Sequence, residues 1–150
     1  FWDPYHSKLA ELLDRAYRQF GYSILIDAHS MPHEAILNAS TGFHTSQLVL
    51  GDRYGASCSP DIVNNLAMLI SKNGLHASRN IPFSGAYIVQ KYGRPELNRH
   101  AIQLEIDRSM YMDERKIQKL EKFYKLKNKL LDILRDFSKT HTSVTSIAAE

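Results

Sequence analysis

The residues that decide the fold are Tyr22-Ser23-Ile24-Leu25-Ile26-Asp27-Ala28-His29-Ser30, at positions 22–30. They predict a short buried strand, to about Ile26, that ends in a carboxylate, a small residue, an imidazole and a hydroxyl. In open α/β sheets, ligands bind beyond the carboxyl ends of the strands. We therefore expect Asp27, His29 and Ser30 to lie on a functional rim of the sheet.

A second informative strand is predicted at residues 101–106, within the stretch 100–108. Apolar and polar side chains alternate there, as in a strand with one buried face. The apolar members are Ile102, Leu104 and Ile106, and the polar members are Gln103, Glu105 and Asp107. A carboxylate near the end of such a strand is costly unless it is paired or used. Glu105 is therefore a candidate general base, and the alternative is an ion pair with Arg108 or another arginine of the rim.

The rest of the chain alternates helices and strands, which predicts an α/β fold with a mainly parallel or mixed sheet flanked by helices. Asp3-Pro4 is typical of a helix start with Asp3 as the N-cap, and Gly21 of its end. Further elements are expected as strands at 47–50 and 76–78, a helix from Ser59-Pro60 to Gly74, and loops at 30–45, 51–58 and 80–93. The loop at 30–45 is long enough to be functional or mobile.

The last predicted helix covers residues 113–137. It contains eight Lys and Arg against five Asp and Glu, which accounts for the whole net charge of +3. Its apolar stripe is formed by Phe123, Leu126, Leu130, Ile133 and Phe137. The helix either packs on the domain with its lysines in solvent or binds a partner or a second copy. We expect residues 1–112 to form the α/β portion and residues 138–150 a flexible tail.

Composition excludes several classes of protein. No apolar run is long enough for a transmembrane helix, and no secretory leader is evident, so neither a membrane nor secretion is expected. The excess of basic over acidic residues is confined to one predicted helix, and the rest of the chain is neutral, so no nucleic acid is expected. Cys58 is the only cysteine, which excludes an intrachain disulfide and favours a reducing, cytoplasmic setting. Because the chain begins with Phe1, we expect a segment of a longer protein or a processed one.

His29 is the candidate metal ligand, with Asp27 or a carbonyl fixing its tautomer. Other motifs fail: Leu37 interrupts the zinc pattern begun by His33-Glu34, and Ser59 replaces the second glycine of a nucleophile elbow. A thiol mechanism through Cys58 stays open, although a lone cysteine is usually a small buried residue. Arg53 and Arg79 could bind a substrate carboxylate in a bidentate manner, or simply lie at the surface.

Together, these segments resemble the N-formylglutamate amidohydrolase family, whose relatives include zinc carboxypeptidases and aspartoacylase-like hydrolases. The similar pieces occur in the family's order and span residues 5–112. They are Tyr5-His6 with Leu9, residues 27–32, residues 50–55, residues 80–85, residues 92–95, residues 100–106 and Tyr111-Met112. Ala86 departs from the family pattern, in which a second glycine is usual.

The resemblance implies a phosphorylase/hydrolase-like fold and a zinc-dependent hydrolase that acts on a small N-acyl amino acid. In that reading His29 is a zinc ligand and Glu105 is the general base that polarises zinc-bound water for attack on the formyl carbonyl. Arg53, Asn80 and Arg108 would bind substrate, the arginines by holding its carboxylates or stabilising the oxyanion.

The family's two other zinc ligands lie in a segment that precedes the part matched here. A catalytic zinc site needs about three protein ligands. The resemblance therefore implies an incomplete site, a sheet lacking its N-terminal strands, and a complementing N-terminal segment. His6, His33, His44, His76 and His100 could in principle be recruited instead. The alternative function is a degenerate, non-catalytic remnant whose basic helix mediates homodimerisation or partner binding.

Overall fold

The computed structural model describes residues 1–39 and 46–142. Within those residues, five α-helices and six β-strands follow one another along the chain. The helices are α1 (Trp2–Phe20), α2 (His33–Ala39), α3 (Pro60–Lys72), α4 (Tyr87–Tyr92) and α5 (Phe123–Thr142). The strands are β1 (Ser23–Met31), β2 (Leu48–Gly51), β3 (Ala77–Arg79), β4 (Arg99–Asp107), β5 (Met112–Asp113) and β6 (Gln118–Lys119).

Four strands form one mixed sheet in the order β1-β4-β2-β3. β4 runs parallel to β1 and antiparallel to β2, while β3 runs parallel to β2. The pairing of β1 with β4 extends over nine residues of each strand. The predicted α/β class, with a mixed sheet flanked by helices, is confirmed. No helix among the described residues combines the length and the apolar character needed to cross a membrane.

One face of this sheet carries the main hydrophobic core. The side chains of β4 and β2 that point to it meet apolar side chains of α3 and α5. The fully buried members include Leu48, Leu50, Leu66, Ile70, Ile102 and Ile133. Because successive strand residues point to opposite faces, the same strands leave their polar residues on the other face. There, Met31 and Val49 pack with Ile36 of α2 and with Phe83 in a smaller cluster.

Several predicted boundaries are wrong. β1 does not end near Ile26 but continues to Met31, so Asp27 and His29 lie inside a strand. Part of the predicted loop at 30–45 is α2, and residues 40–45 lie outside the described residues. α4 interrupts the predicted loop at 80–93.

The N-cap of α1 is Phe1 and not Asp3, since the helix already begins at Trp2. The predicted end of this helix is confirmed. Gly21 takes a left-handed conformation, φ 74°, and its N–H donates to the carbonyl of Tyr17, as a C-terminal glycine does.

The last helix begins ten residues later than expected, at Phe123, because a short hairpin of β5 and β6 precedes it. Asp113 Oδ1 accepts hydrogen bonds from the backbone N–H groups of Arg115 and Lys116, and Ile117 has a positive φ of 53°. The positive φ of Ile117 is incompatible with a right-handed helix, so the chain turns back here and pairs β6 with β5. α5 then continues to Thr142, into the predicted tail, of which residues 143–150 lie outside the described residues.

The apolar stripe of α5 is used inside the domain. Leu126, Ile133 and Phe137 belong to the main core and are 7%, 1% and 4% exposed. A charged residue at position 126 would therefore disrupt the core. A loss of self-association in such a variant would not show that α5 forms a dimer interface.

The end of α5 contacts β1 and β4 through two histidines. Tyr22 donates its hydroxyl hydrogen to the carbonyl of His141, and the rings of Phe137 and His141 lie 4.6 Å apart. Burial lowers the pKa of His141, while burial followed by repulsion from His141 lowers the pKa of His100. Both imidazoles are therefore held in their neutral form.

This contact predicts acid sensitivity. Unfolded histidine titrates near pH 6.5, so below that pH the unfolded chain binds more protons than the folded chain, and the free energy of unfolding falls as the pH drops. We expect His141→Gln to flatten this fall between pH 7.5 and pH 5 in urea titrations. The matched control is His76→Gln, at an exposed position. Equal slopes for His141→Gln and the wild type would contradict the assignment.

Candidate functional site

The register of β1 against β4 brings four polar side chains to one face of the sheet. Asp27 lies opposite Gln103, and His29 lies opposite Glu105. Because residues two apart on a strand share a face, the four form a two-by-two arrangement on the face away from the main core. We call these four residues the polar group.

His29 lies between two carboxylates. Its Nε2 is 3.0 Å from Oδ2 of Asp27, and its Nδ1 is 3.9 Å from Oε1 of Glu105. The side chain of His29 is 42% exposed, whereas those of Asp27 and Glu105 are 15% and 7% exposed. An accessible imidazole with carboxylates behind it is suited to binding a metal ion or carrying a proton.

Two carboxylate oxygens of the polar group have no hydrogen-bond partner. They are Oδ2 of Asp27 and Oε2 of Glu105, and both are buried. The nitrogen of His29 nearest to Asp27 is close enough, but the contact lacks hydrogen-bond geometry. An unpaired buried oxygen costs about 1–3 kcal/mol or more when charged. A cation or a proton donor placed between these oxygens and His29 would satisfy them.

The described residues do not complete a metal site. Among residues 1–39 and 46–142, no group of three or more His, Cys, Asp or Glu side chains could hold an ion. His44 lies outside the described residues. Four other histidines considered as ligands have different surroundings. Three of them bind other groups: His6 binds the hydroxyl of Tyr92, His33 binds Asp107, and His100 accepts from the N–H of Ser59. His76 precedes β3, at the opposite edge of the sheet. His29 and the two carboxylates beside it are thus chemically suited to supply at most part of a metal site.

The fourth member of the polar group, Gln103, was missed in the sequence. Its Nε2 donates to Oε1 of Glu105 at 2.6 Å, and its Oε1 accepts from the N–H of Ala86 at 2.7 Å. The available signal was that Gln103 precedes the candidate base by two residues and so shares its strand face. The partner on the other side, a backbone N–H 17 residues away in the chain, has no sequence signal.

The substrate-binding candidate Arg108 lies directly after β4, where β1 also ends. Its Nε and Nη2 lie 3.3 Å from the hydroxyl and the carbonyl oxygen of Ser30, and its Nη1 is 3.9 Å from Oε2 of Glu114. The guanidinium is 37% exposed, so part of it faces solvent at the carboxyl ends of both strands. This placement suits an anion-binding arginine at the edge of the polar group.

A nearby cluster contains the residue types of a catalytic triad but not its geometry. Oδ2 of Asp107 is 2.8 Å from Nδ1 of His33, and the hydroxyl of Ser109 is 3.2 Å from the same nitrogen. A triad needs the carboxylate and the nucleophile on opposite nitrogens of the imidazole. The cluster therefore anchors the start of α2 and does not activate Ser109.

The candidates Asn80 and Arg79 are both engaged with a buried carboxylate. Asp52 is fully buried and accepts from Nε of Arg79 at 3.2 Å, from its Nη2, and from Nδ2 of Asn80 at 2.6 Å. Oδ1 of Asn80 accepts from the N–H of Asp52 at 3.0 Å. Burial opposes ionisation of Asp52, but the hydrogen bonds from Arg79 and Asn80 hold its pKa below the usual range. Both atoms of the Asn80 amide thus bind Asp52 and hold two loops together.

Arg53, the remaining substrate-binding candidate, lies in the loop directly after β2. Arg53 and Tyr54 both have positive φ, 54° and 57°, a conformation uncommon outside glycine. The N–H of Arg53 donates to the carbonyl of Ser84 at 2.7 Å. The loop is therefore held in an unusual conformation against the segment after β3. Residues in such conformations cluster at functional sites.

Cys58 is not a nucleophile in this fold. It is fully buried in the main core, and burial raises the pKa of its thiol to about 12. A thiol that stays protonated does not support nucleophilic catalysis. The thiol mechanism considered from the sequence is therefore wrong.

A cavity of about 430 Å³ lies between β1 and α5. Most of its lining is apolar and includes Ala28, Ile106, Leu130 and Leu134, although His29 borders it. Ala28 and Ile106 belong to the core face of the sheet, so the cavity opens mainly on that side and not beside the buried carboxylates. It is a groove next to the polar group and not a pocket for amide chemistry.

The chain is similar in sequence to known proteins. Residues 1–112 match the sequence model of the family described as N-formylglutamate amidohydrolase. The chain is 39% identical over 114 residues to the N-formylglutamate deformylase of Pseudomonas aeruginosa and, over the same length, to that of Pseudomonas putida. These matches cover 75% of this chain but 42% of each relative.

A solved structure shows the same fold. The crystal structure of an N-formylglutamate amidohydrolase from Ralstonia eutropha JMP134 superposes with a TM-score of 0.82 and 33% sequence identity. The match covers 93% of this chain and 51% of that one. The chain therefore spans about half the length of the proteins that it resembles.

The network around Asp52 predicts a large stability effect. We expect Asp52→Ala to lower the free energy of unfolding by about 3 kcal/mol, because it leaves Arg79 and Asn80 without their shared acceptor. Guanidinium chloride denaturation measures the loss, and the exposed Glu121→Ala serves as the matched control, with an expected change below about 0.5 kcal/mol. A loss below about 1 kcal/mol for Asp52→Ala would show that the loops are held by other contacts.

Proposed function

Because the chain belongs to the N-formylglutamate amidohydrolase family, we propose that it carries part of the active site of a zinc-dependent hydrolase of N-acyl amino acids. The relatives named N-formylglutamate deformylase point to N-formylglutamate as the substrate. Water would cleave the amide bond to release formate and glutamate. Since the chain spans 42% of those relatives, the activity proposed is that of the complete family fold.

The observation that carries the proposal is the polar group of β1 and β4. It places an accessible imidazole against two buried carboxylates, each with one oxygen free of hydrogen bonds. A histidine with a purely structural role would be expected to form hydrogen bonds with the carboxylates next to it. Here Oδ2 of Asp27, which lies beside His29, and Oε2 of Glu105 both lack a hydrogen bond, as expected of a site built for a further group.

Glu105 is the proposed general base. Its Oε1 is occupied by the amide of Gln103, so Oε2 is the atom that would remove a proton from the attacking water. The same oxygen would then deliver the proton to the leaving nitrogen as the amide bond breaks. A buried carboxylate on a rigid central strand suits this task, because proton transfer depends on a fixed distance.

His29 is the proposed metal ligand, and the remaining ligands would come from the part of the family fold that this chain does not cover. When bound, zinc supplies a Lewis acid that polarises a carbonyl and makes water a stronger acid. Asp27 lies beside Nε2 of His29 at 3.0 Å, where a carboxylate can fix the orientation of a ligating imidazole. Nδ1 would then face the ion.

Arg53 and Arg108 are the proposed anchors for the substrate carboxylates. Arg108 lies at the carboxyl ends of β1 and β4, and Arg53 follows β2, the strand on the other side of β4. Because β2 is antiparallel to β4 and ends opposite Gln103, Arg53 follows it toward the start of β4, whereas Arg108 lies at the end of β4. Each guanidinium group would bind one carboxylate of a substrate such as N-formylglutamate. Asn80 would act indirectly, through the loop that it holds by Asp52.

The first prediction of this proposal concerns activity. We expect Glu105→Gln to lower kcat for N-formyl-L-glutamate by about 10²–10⁴-fold, since it removes the base while keeping the shape of the side chain. Release of formate by the protein, with the rest of the family fold supplied, measures the rate. Glu121→Gln, which changes an exposed carboxylate, is the control and should stay within about threefold of the wild type. Equal losses for the two variants would argue against a specific role of Glu105.

The second prediction concerns the metal. We expect His29→Ala to weaken zinc binding by at least about tenfold, measured by competition with a chromogenic chelator. His33→Ala is the matched control, because its imidazole also lies beside a carboxylate at the end of the sheet. Identical zinc affinities for the wild type and His29→Ala would show that His29 is not a ligand.

A further inference from the structure

Gln103 lies at the centre of the sheet face that carries the candidate site. It is 3% exposed and sits on β4, the strand between β1 and β2. Its neighbours in the register are Asp27 on β1 and Gly51 on β2. A buried amide needs partners for both its oxygen and its nitrogen, and the structure supplies one for each.

The orientation of the Gln103 amide is fixed by chemistry. The backbone N–H of Ala86 can only donate, so the atom that faces it at 2.7 Å is the amide oxygen. The NH₂ group must therefore point the other way, to Oε1 of Glu105 at 2.6 Å. The loop before α4 thus sets the direction in which Gln103 donates.

This donation distinguishes the two oxygens of Glu105. Oε1 accepts from Gln103, which has no proton-accepting atom on that side, while Oε2 is buried without a partner. The hydrogen bond from Gln103 makes Oε1 a weaker proton acceptor than Oε2, so Oε2 is the favoured atom for proton transfer. Rotation of the carboxylate about its last bond would break this hydrogen bond before the other oxygen could remake it, so the bond slows that rotation.

Gly51 makes this arrangement possible. A Cβ at position 51 would lie 2.6 Å from the backbone nitrogen of Gly85, which is closer than real Cβ atoms approach. Only glycine therefore lets the loop at 84–86 come down on the sheet beside Gln103. Gly51 thus contacts the loop at 84–86, Ala86 of that loop donates to Gln103, and Gln103 donates to Glu105.

We propose that Gln103 is a positioning residue that holds the Glu105 carboxylate through Oε1 and leaves Oε2 as its unpaired oxygen for proton transfer. This role rests on the proposed function of Glu105. Gln103 itself touches neither water nor substrate. It holds the carboxylate in one rotamer and ties that rotamer to the loop at 84–86.

The test separates positioning from mere support of the loop. Gln103→Glu keeps an oxygen acceptor for Ala86 but replaces the NH₂ donor with a second carboxylate oxygen. We expect kcat to fall about 10–100-fold with KM within about twofold of the wild type, while the N–H of Ala86 stays protected in hydrogen exchange. Gln103→Met, which removes both bonds, should lose activity and the protection of Ala86 together.

A double variant provides the decisive comparison. If Gln103 acts through Glu105, then Gln103→Glu adds no further loss in kcat to a Glu105→Gln protein. Multiplying losses would overturn the proposal, and so would wild-type activity in Gln103→Glu.

The final measurement does not depend on activity. The side-chain NH₂ resonance of Gln103 in the NMR spectrum should shift in Glu105→Gln and stay in place in Glu114→Gln. If the wild-type protein, with the rest of the family fold supplied, releases no formate, the proposed function fails, and this resonance alone decides the inference. An unshifted resonance overturns the positioning role whether or not the protein is a hydrolase.

Discussion

The parallel register of β1 and β4 is the constraint on which the candidate site depends. It pairs nine residues of each strand and places His29 opposite Glu105. A shift of one residue would turn Glu105 into the main core and Leu104 onto the polar face. Leu104 packs in that core beside Ile102, so the shift is prevented by hydrophobic burial. Packing on one face of the sheet thus fixes the chemistry on the other.

The loops add a second constraint on the position of Glu105, through the side chain of Gln103. Asp52 binds Arg79 and Asn80, so the segment after β2 is held to the end of β3 and to the start of the segment that follows. Gly51 then allows the loop at 84–86 to approach the sheet closely enough for Ala86 to reach Gln103. The general base is therefore oriented from two directions, by its strand and by these loops.

Sequence patterns predicted the strands that carry the site, because alternation along 100–108 and the apolar run at 24–26 reflect burial directly. The sequence patterns gave wrong boundaries where the polarity or charge of the residues suggested a different local structure from the one that forms. Polar residues at Asp27 and His29 indicated the end of a strand, although a residue on the exposed face does not interrupt the ladder. The charged stretch from Asp113 predicted a helix, but the bonds from Asp113 to the following backbone start a hairpin turn.

The relations that define the site were beyond sequence analysis for a physical reason. His29 and Glu105 lie on different strands that are far apart in the chain, and the second partner of Gln103 is a backbone N–H that any residue except proline would supply. Residue types alone therefore could not reveal which oxygen of Glu105 stays unpaired. That unpaired oxygen argues against a purely structural role, because a fold selected for stability alone would pair or replace a buried carboxylate. A buried carboxylate oxygen without a partner lowers the stability of the fold. Because the imidazole of His29 lies 3.9 Å from the same carboxylate, proton transfer or metal binding is the simplest explanation for its presence.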